Sequence, residues 1–95
     1  MFFNKKENEK PSPYLIEQTK QLLSALGGKT NLIHIDACIT RLRLEVKDFS
    51  KINEQRLAEL GSKGTLKIGE NQVHIILGKS ADSIAQLLKI FSNSP

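Results

Sequence analysis

Between Asn31 and Lys47 the chain alternates apolar and polar side chains at every second position, twice in succession, and such a run can bury only one face of a sheet. In NLIHIDAC, Ile33, Ile35 and Ala37 share one face while His34, Asp36 and Cys38 share the other. In RLRLEVK, Leu42, Leu44 and Val46 face inward while Arg41, Arg43, Glu45 and Lys47 face outward. Two half-buried strands with a tight connection around Cys38 to Thr40 make a hairpin. A second hairpin is expected further on: Leu66 and Ile68 alternate inward, Gly69 to Gln72 turn the chain, and Val73, Ile75 and Leu77 alternate back.

Helical periods surround these strands. Ser12 before Pro13 pairs an N-cap hydroxyl with a residue whose missing N–H costs nothing in the first turn. Leu15, Thr19, Leu22, Leu23 and Leu26 then recur at helical spacing, and Gly27-Gly28 supplies a left-handed C-terminal cap. Asn53 caps a second, short helix in which Ile52 and Leu57 form a hydrophobic staple and Gly61 ends the run. Ser80 is expected to cap a third, with Ile84, Leu87, Leu88 and Phe91 as its apolar stripe and Asp82 in the first turn. The order αββαββα, with one apolar stripe per helix and one apolar face per strand, resolves most economically into an α/β (α+β) two-layer sandwich. Its four-stranded antiparallel sheet carries the three helices on one face. The other face, with His34, Asp36, Cys38, Arg41, Arg43, Glu45, Lys47 and His74, is left for solvent or a partner. Residues 1–12 mix charges with Asn and read as a tail or linker before a domain over residues 13–92. In that tail, Phe2 and Phe3 are either incidental or a small docking element.

With 95 residues there is room for one small core and none for an elaborate enclosed active site. Fourteen Lys and Arg against ten acidic residues leave a net charge of +4, which permits an anionic partner without naming one. Too few aromatics stand on the polar face for base stacking, and the lysines are dispersed, which sets nucleic-acid binding aside. A single cysteine excludes an internal disulfide framework and any multi-cysteine zinc site, and it fits a reducing compartment. No stretch approaches a membrane-spanning helix, and the first ten residues lack the core of a secretory signal, so the chain is expected to be soluble and cytoplasmic.

The charge matters more by placement than by total. Two of only three arginines, Arg41 and Arg43, follow the only thiol within five residues, at the same polar parity. A lone cysteine in a strand is most often packed in the core. Here Ile33, Ile35 and Ala37 already fill that face, so a buried Cys38 would need a bulge or a reversed side chain. At an exposed tip, two guanidinium groups favour the nucleophilic thiolate. With the backbone amides of Ile39, Thr40 and Arg41 they are a candidate cradle for a dianionic phosphoryl group. The plainer reading of Arg41 and Arg43 is a solvated strand face with cross-strand charge pairs. His34 and His74 read as solvated surface histidines, and no carboxylate or thiolate set accompanies them to hold a metal.

The segment IDACITRLRLEV, Ile35 to Val46, resembles the phosphorylation-site signature of the IIB domains of the glucose family of the bacterial phosphoenolpyruvate-dependent sugar phosphotransferase system. The resemblance extends from about Tyr14 to Phe91 through Gly27-Gly28, Leu60-Gly61 and the VHIILGKS stretch before the last helix. It implies the fold reached above and a phosphocarrier without a cofactor. Cys38 would accept a phosphoryl group from a phosphohistidine on a IIA domain and pass it to a sugar held by a membrane IIC domain. By position Cys38 matches the phosphocysteine, Arg41 and Arg43 match the motif's arginines, and the amides of Ile39, Thr40 and Arg41 match its phosphate-holding loop. A IIC partner would place the chain at the inner face of the membrane. His34 stands where the family leads one to expect a smaller polar residue. Many family members are fused to their IIA and IIC partners, so a chain this short is expected to be a separate subunit or an excised piece. The alternative is a regulatory or scaffold module of the same fold that docks to a transporter or a transcription factor.

Overall fold

A computed structural model describes residues 12–93; the remaining tail, with Phe2 and Phe3, lies outside the described residues. Helix α1 (Pro13–Ala25) begins as its sequence requires: Ser12 is extended, Pro13 takes the first turn, and the Ser12 hydroxyl accepts the Leu15 N–H at 3.1 Å. It ends in a Schellman motif. Gly28 N–H donates to Leu23 C=O at 2.9 Å and Gly27 N–H to Ser24 C=O at 3.1 Å, with φ of 86° and 99° at the two glycines. Leu22 and Leu26 are fully buried, and Thr19, also buried, donates its hydroxyl to Leu15 C=O.

Asn31 then performs a task its sequence context does not announce. The side chain is buried; its Nδ2 donates to the carbonyls of Leu26 and Asp48, and its Oδ1 accepts the Asp48 N–H at 2.9 Å. It ties the end of α1 to the segment after the first hairpin, using polar groups that would otherwise be buried without partners.

Strands β1 (Leu32–Ala37) and β2 (Arg41–Val46) form the first hairpin, and β3 (Gly64–Ile68) and β4 (Gln72–Ile76) form the second. Between them lies the short helix α2 (Glu54–Glu59), capped by Asn53 Oδ1 on the Arg56 N–H, with Ile52 and Leu57 both buried. All strand pairs are antiparallel and the sheet order is β1-β2-β4-β3, so β2 and β4 are central. Leu42, Leu44, Val46, Val73 and Ile75 point into one core with Leu57 and with Ile84 and Leu88 of the last helix, α3 (Ala81–Asn93). The expected two layers and αββαββα order are therefore present, with three added 3₁₀ turns at Lys29–Asn31, Phe49–Lys51 and Gly78–Ser80.

Three local expectations are corrected. Ile33 is 51% exposed, because the register slips between Leu32 and His34 and Leu32 packs against the core instead. An irregularity of this kind turns every side chain before it to the other face. Leu66 and Ile68 are also exposed, at 42% and 41%. They pair with His74 and Gln72, and directly paired residues share a face, so the apolar parity of β3 lies on the open side. Ser80 does not cap α3 as expected: it belongs to the 3₁₀ turn that runs into the helix, and its hydroxyl donates to Leu77 C=O.

Candidate functional site

The three-residue tip between β1 and β2 consists of Cys38, Ile39 and Thr40, all exposed. Parity carries Cys38 to the open face, as the alternation requires, and its thiol is free. The tip is held by its backbone. Cys38 N–H donates to Arg41 C=O at 2.8 Å, and Thr40 C=O accepts both Leu77 N–H and Gly78 N–H at 3.0 Å. These two bonds moor the hairpin tip to the loop between β4 and α3, and they leave the amides next to the thiol uncommitted. Among the described residues, no backbone acceptor engages the N–H of Ile39 or Thr40. No residue of the tip has a positive φ, so these amides are presented by an ordinary turn of non-glycine residues.

The ladder arranges the charged groups in rows on the open face. Arg41 opens β2 opposite Ile76, in the row nearest the tip. One row further, Asp36, Arg43, His74 and Leu66 stand side by side across all four strands. His34, Glu45, Gln72 and Ile68 form the row beyond that. The second and third rows line a shallow depression of about 270 Å³, walled chiefly by His34, Asp36, Arg43, Glu45, Gln72 and His74.

The two arginines differ in what holds them. Arg43 Nη2 lies 3.4 Å from Asp36 Oδ2, a cross-strand pair with both side chains about half exposed. The cross-strand charge pair expected on a solvated strand face is therefore present at Arg43. Arg41 is exposed and, among the described residues, has no carboxylate within ion-pair distance. Asp36 is itself pinned, since its Oδ1 accepts the Ala37 N–H at 2.8 Å. That amide bond chiefly holds its carboxyl below the usual carboxylate range; partial desolvation opposes it, and the charges of Arg43, Lys89 and His34 add smaller lowering contributions.

His74 is not the solvated histidine that its sequence position suggests. Its Nδ1 is buried without a hydrogen-bond partner among the described residues. Burial first, and then the guanidinium groups of Arg41 and Arg43, push its pKa down. Sequence parity placed His74 on the correct face, yet only the ladder reveals that Arg43 stands beside it.

A two-layer α/β sandwich with a free thiol at an open hairpin tip defines a class of small domain that presents its cysteine at the surface instead of enclosing it. Three comparisons make the class specific. The family model for the phosphotransferase system, EIIB, matches residues 20–53, a segment that contains the whole Cys38 hairpin. Over 64 residues the chain is 48% identical to the glucose-specific EIICBA component of the PTS system from Staphylococcus carnosus (strain TM300), covering 67% of this chain and 9% of that protein. The crystal structure of one domain of the PTS system IIabc component from Clostridium difficile matches with a TM-score of 0.65 at 29% identity, over 81% of this chain and 77% of that one. The chain belongs to the EIIB family of the phosphotransferase system. It spans only 9% of the length of the Staphylococcus relative. Among the described residues, no helix is long and apolar enough to cross a membrane.

Proposed function

We propose that this chain is a cysteine phosphocarrier of a sugar phosphotransferase system, working in the cytoplasm between a IIA phosphoryl donor and a sugar held by a membrane IIC component. The observation that carries the reading is the arrangement at the tip: an exposed Cys38, two amides without backbone acceptors at Ile39 and Thr40, and across the hairpin, in the row nearest the tip, an exposed Arg41 with no carboxylate partner among the described residues. In the first step the Cys38 thiolate attacks the phosphorus of a donor phosphohistidine in line. The S–P bond forms as the P–N bond breaks, and the electron pair remains on the donor's imidazole nitrogen. In the second step a sugar hydroxyl oxygen attacks the same phosphorus. The O–P bond forms, Cys38 leaves as thiolate, and the hydroxyl proton passes to a base in the acceptor's site. Neither step asks this chain for acid–base chemistry. Its contribution is to position the phosphoryl group and to offset its charge, the roles of Arg41, Arg43 and the amides of Ile39, Thr40 and Arg41.

Incubation with phosphoenolpyruvate, the general phosphotransfer proteins and a IIA domain is expected to place a phosphoryl label on Cys38. Cys38→Ser is expected to abolish that label while keeping the unfolding midpoint, because the side chain is exposed. An unlabelled protein, or undiminished label in Cys38→Ser, overturns the proposal.

A further inference from the structure

Among the described residues Arg43 has a carboxylate partner and Arg41 has none, although both belong to the same short strand and the same face. The partner of Arg43, Asp36, is fixed from behind by the Ala37 N–H on the edge strand β1, so the carboxylate is the stationary member of the pair. Lys89 of α3 and His34 of β1 are the other charged or titratable groups acting on it. The pair keeps 46% and 51% of its side-chain surface exposed, and an ion pair in that setting is weak and easily exchanged. Cys38, the first residue beyond β1, lies two residues from Asp36 at the same parity, about 6.5–7 Å along an extended chain. An arginine side chain covers that distance by changing rotamer. A phosphoryl group at Cys38 would offer twice the charge and three acceptor oxygens, and charge-assisted bonds to such a group are the stronger ones.

We propose that Asp36 is a positioning residue that parks the Arg43 guanidinium while Cys38 is unloaded and yields it to the phosphoryl group once the cysteine carries one. The inference rests on the carrier reading of Cys38 and adds a competitor to it. By withholding one of the two cations, Asp36 keeps the loaded state from becoming too stable, which keeps the phosphoryl group transferable. Removing its charge without its shape should therefore favour the loaded state.

Asp36→Asn retains an oxygen for the Ala37 N–H and removes only the charge. In the full chain, it is expected to speed iodoacetamide alkylation of Cys38 at neutral pH by about two- to five-fold, the range an exposed ion pair commands. In an Arg43→Gln background the same substitution is expected to have less than half that effect, because no guanidinium remains to be released. A direct field of Asp36 on the thiol would act equally in both backgrounds, so an equal effect, or none, overturns the parking of Arg43. With a IIA donor present, Asp36→Asn should also raise the loaded-to-unloaded ratio of Cys38 by about two- to five-fold. An unchanged ratio overturns the yielding step. A Cys38 that takes no label at all overturns the carrier reading and the yielding with it, while the alkylation cycle still reports on Asp36 and Arg43 alone.

Discussion

Arg43 stands directly opposite His74 in the β2–β4 ladder, so a guanidinium and an imidazole share one row of the open face while Nδ1 of that imidazole is shut off from water. Both circumstances oppose protonation, and the sign of the resulting pH dependence follows. The unfolded chain binds a proton at His74 as the pH falls through the ordinary value of 6.5, whereas the folded chain resists it until a lower pH. Folding stability is therefore unaffected by His74 above that value and declines as the pH falls from it toward the depressed folded value. Asp36 and Asp48 act in a separate window. Their carboxyl groups lie below the ordinary 3.8, so the stability they add is present above it and is lost only in stronger acid. Urea unfolding of the native chain should consequently show a loss of stability between neutral and mildly acidic pH, and His74→Gln should flatten that slope. An identical slope in the variant would count against the burial argument. At this scale the sequence was informative about identity and parity but silent about neighbours. Cys38, Arg41 and Arg43 could be singled out because alternation decides which face a residue takes, but the Asp36 bridge and the orphaned His74 nitrogen depend on which strand lies alongside.

Elements were legible where a local rule sets them. The ends of α1 and α2 are both Schellman motifs built on glycine, the second through Ser62 N–H to Leu57 C=O at 2.9 Å and Gly61 N–H to Ala58 C=O at 3.2 Å. The two glycines that end α1 nonetheless have unequal tasks. A Cβ on Gly27 would meet Asn31 Nδ2 at 2.8 Å and Lys51 Cβ at 3.0 Å, while one on Gly28 would meet nothing within 4 Å. Gly28→Ala should cost about 1–2 kcal/mol, the strain of a side chain at positive φ. Gly27→Ala should cost that amount and about 1–3 kcal/mol more, because it also displaces the buried Asn31 from its hydrogen bonds. Chemical denaturation of the two variants tests the order, and equal costs would show that Asn31 yields freely. Strand β3 shows where local rules fail. Leu66 and Ile68 alternate as a buried strand would, yet β3 is an edge strand and its register with β4 puts both on the open side. Alternation shows that a strand has two faces, whereas pairing decides which of them meets the helices.

For the molecule as a whole, the two-layer arrangement separates stability from function. Among the described residues the fully buried large apolar side chains gather in one core between sheet and helices, and the proposed site lies on the opposite face and at the hairpin tip. Leu22→Ala should therefore cost about 3 kcal/mol, a large part of the stability of so small a domain. Ile39→Ala, at a position 85% exposed beside Cys38, should change stability by less than about 0.5 kcal/mol. Thermal unfolding measures both directly. A large loss from Ile39→Ala would mean that the tip is part of the fold's support and not a surface offered to partners.

The sequence by itself determined the period of each segment, the caps that begin and end the first two helices, the face on which Cys38 emerges and the motif that marks the family. All of these follow from interactions within a few residues of one another. Only the tertiary structure decided the bulge that exposes Ile33, the register that turns β3 over, the burial of Asn31 and of the His74 Nδ1, and the unequal partners of Arg41 and Arg43. Each of those depends on segments distant in the chain meeting side by side, and a short-range pattern carries no information about which neighbour arrives.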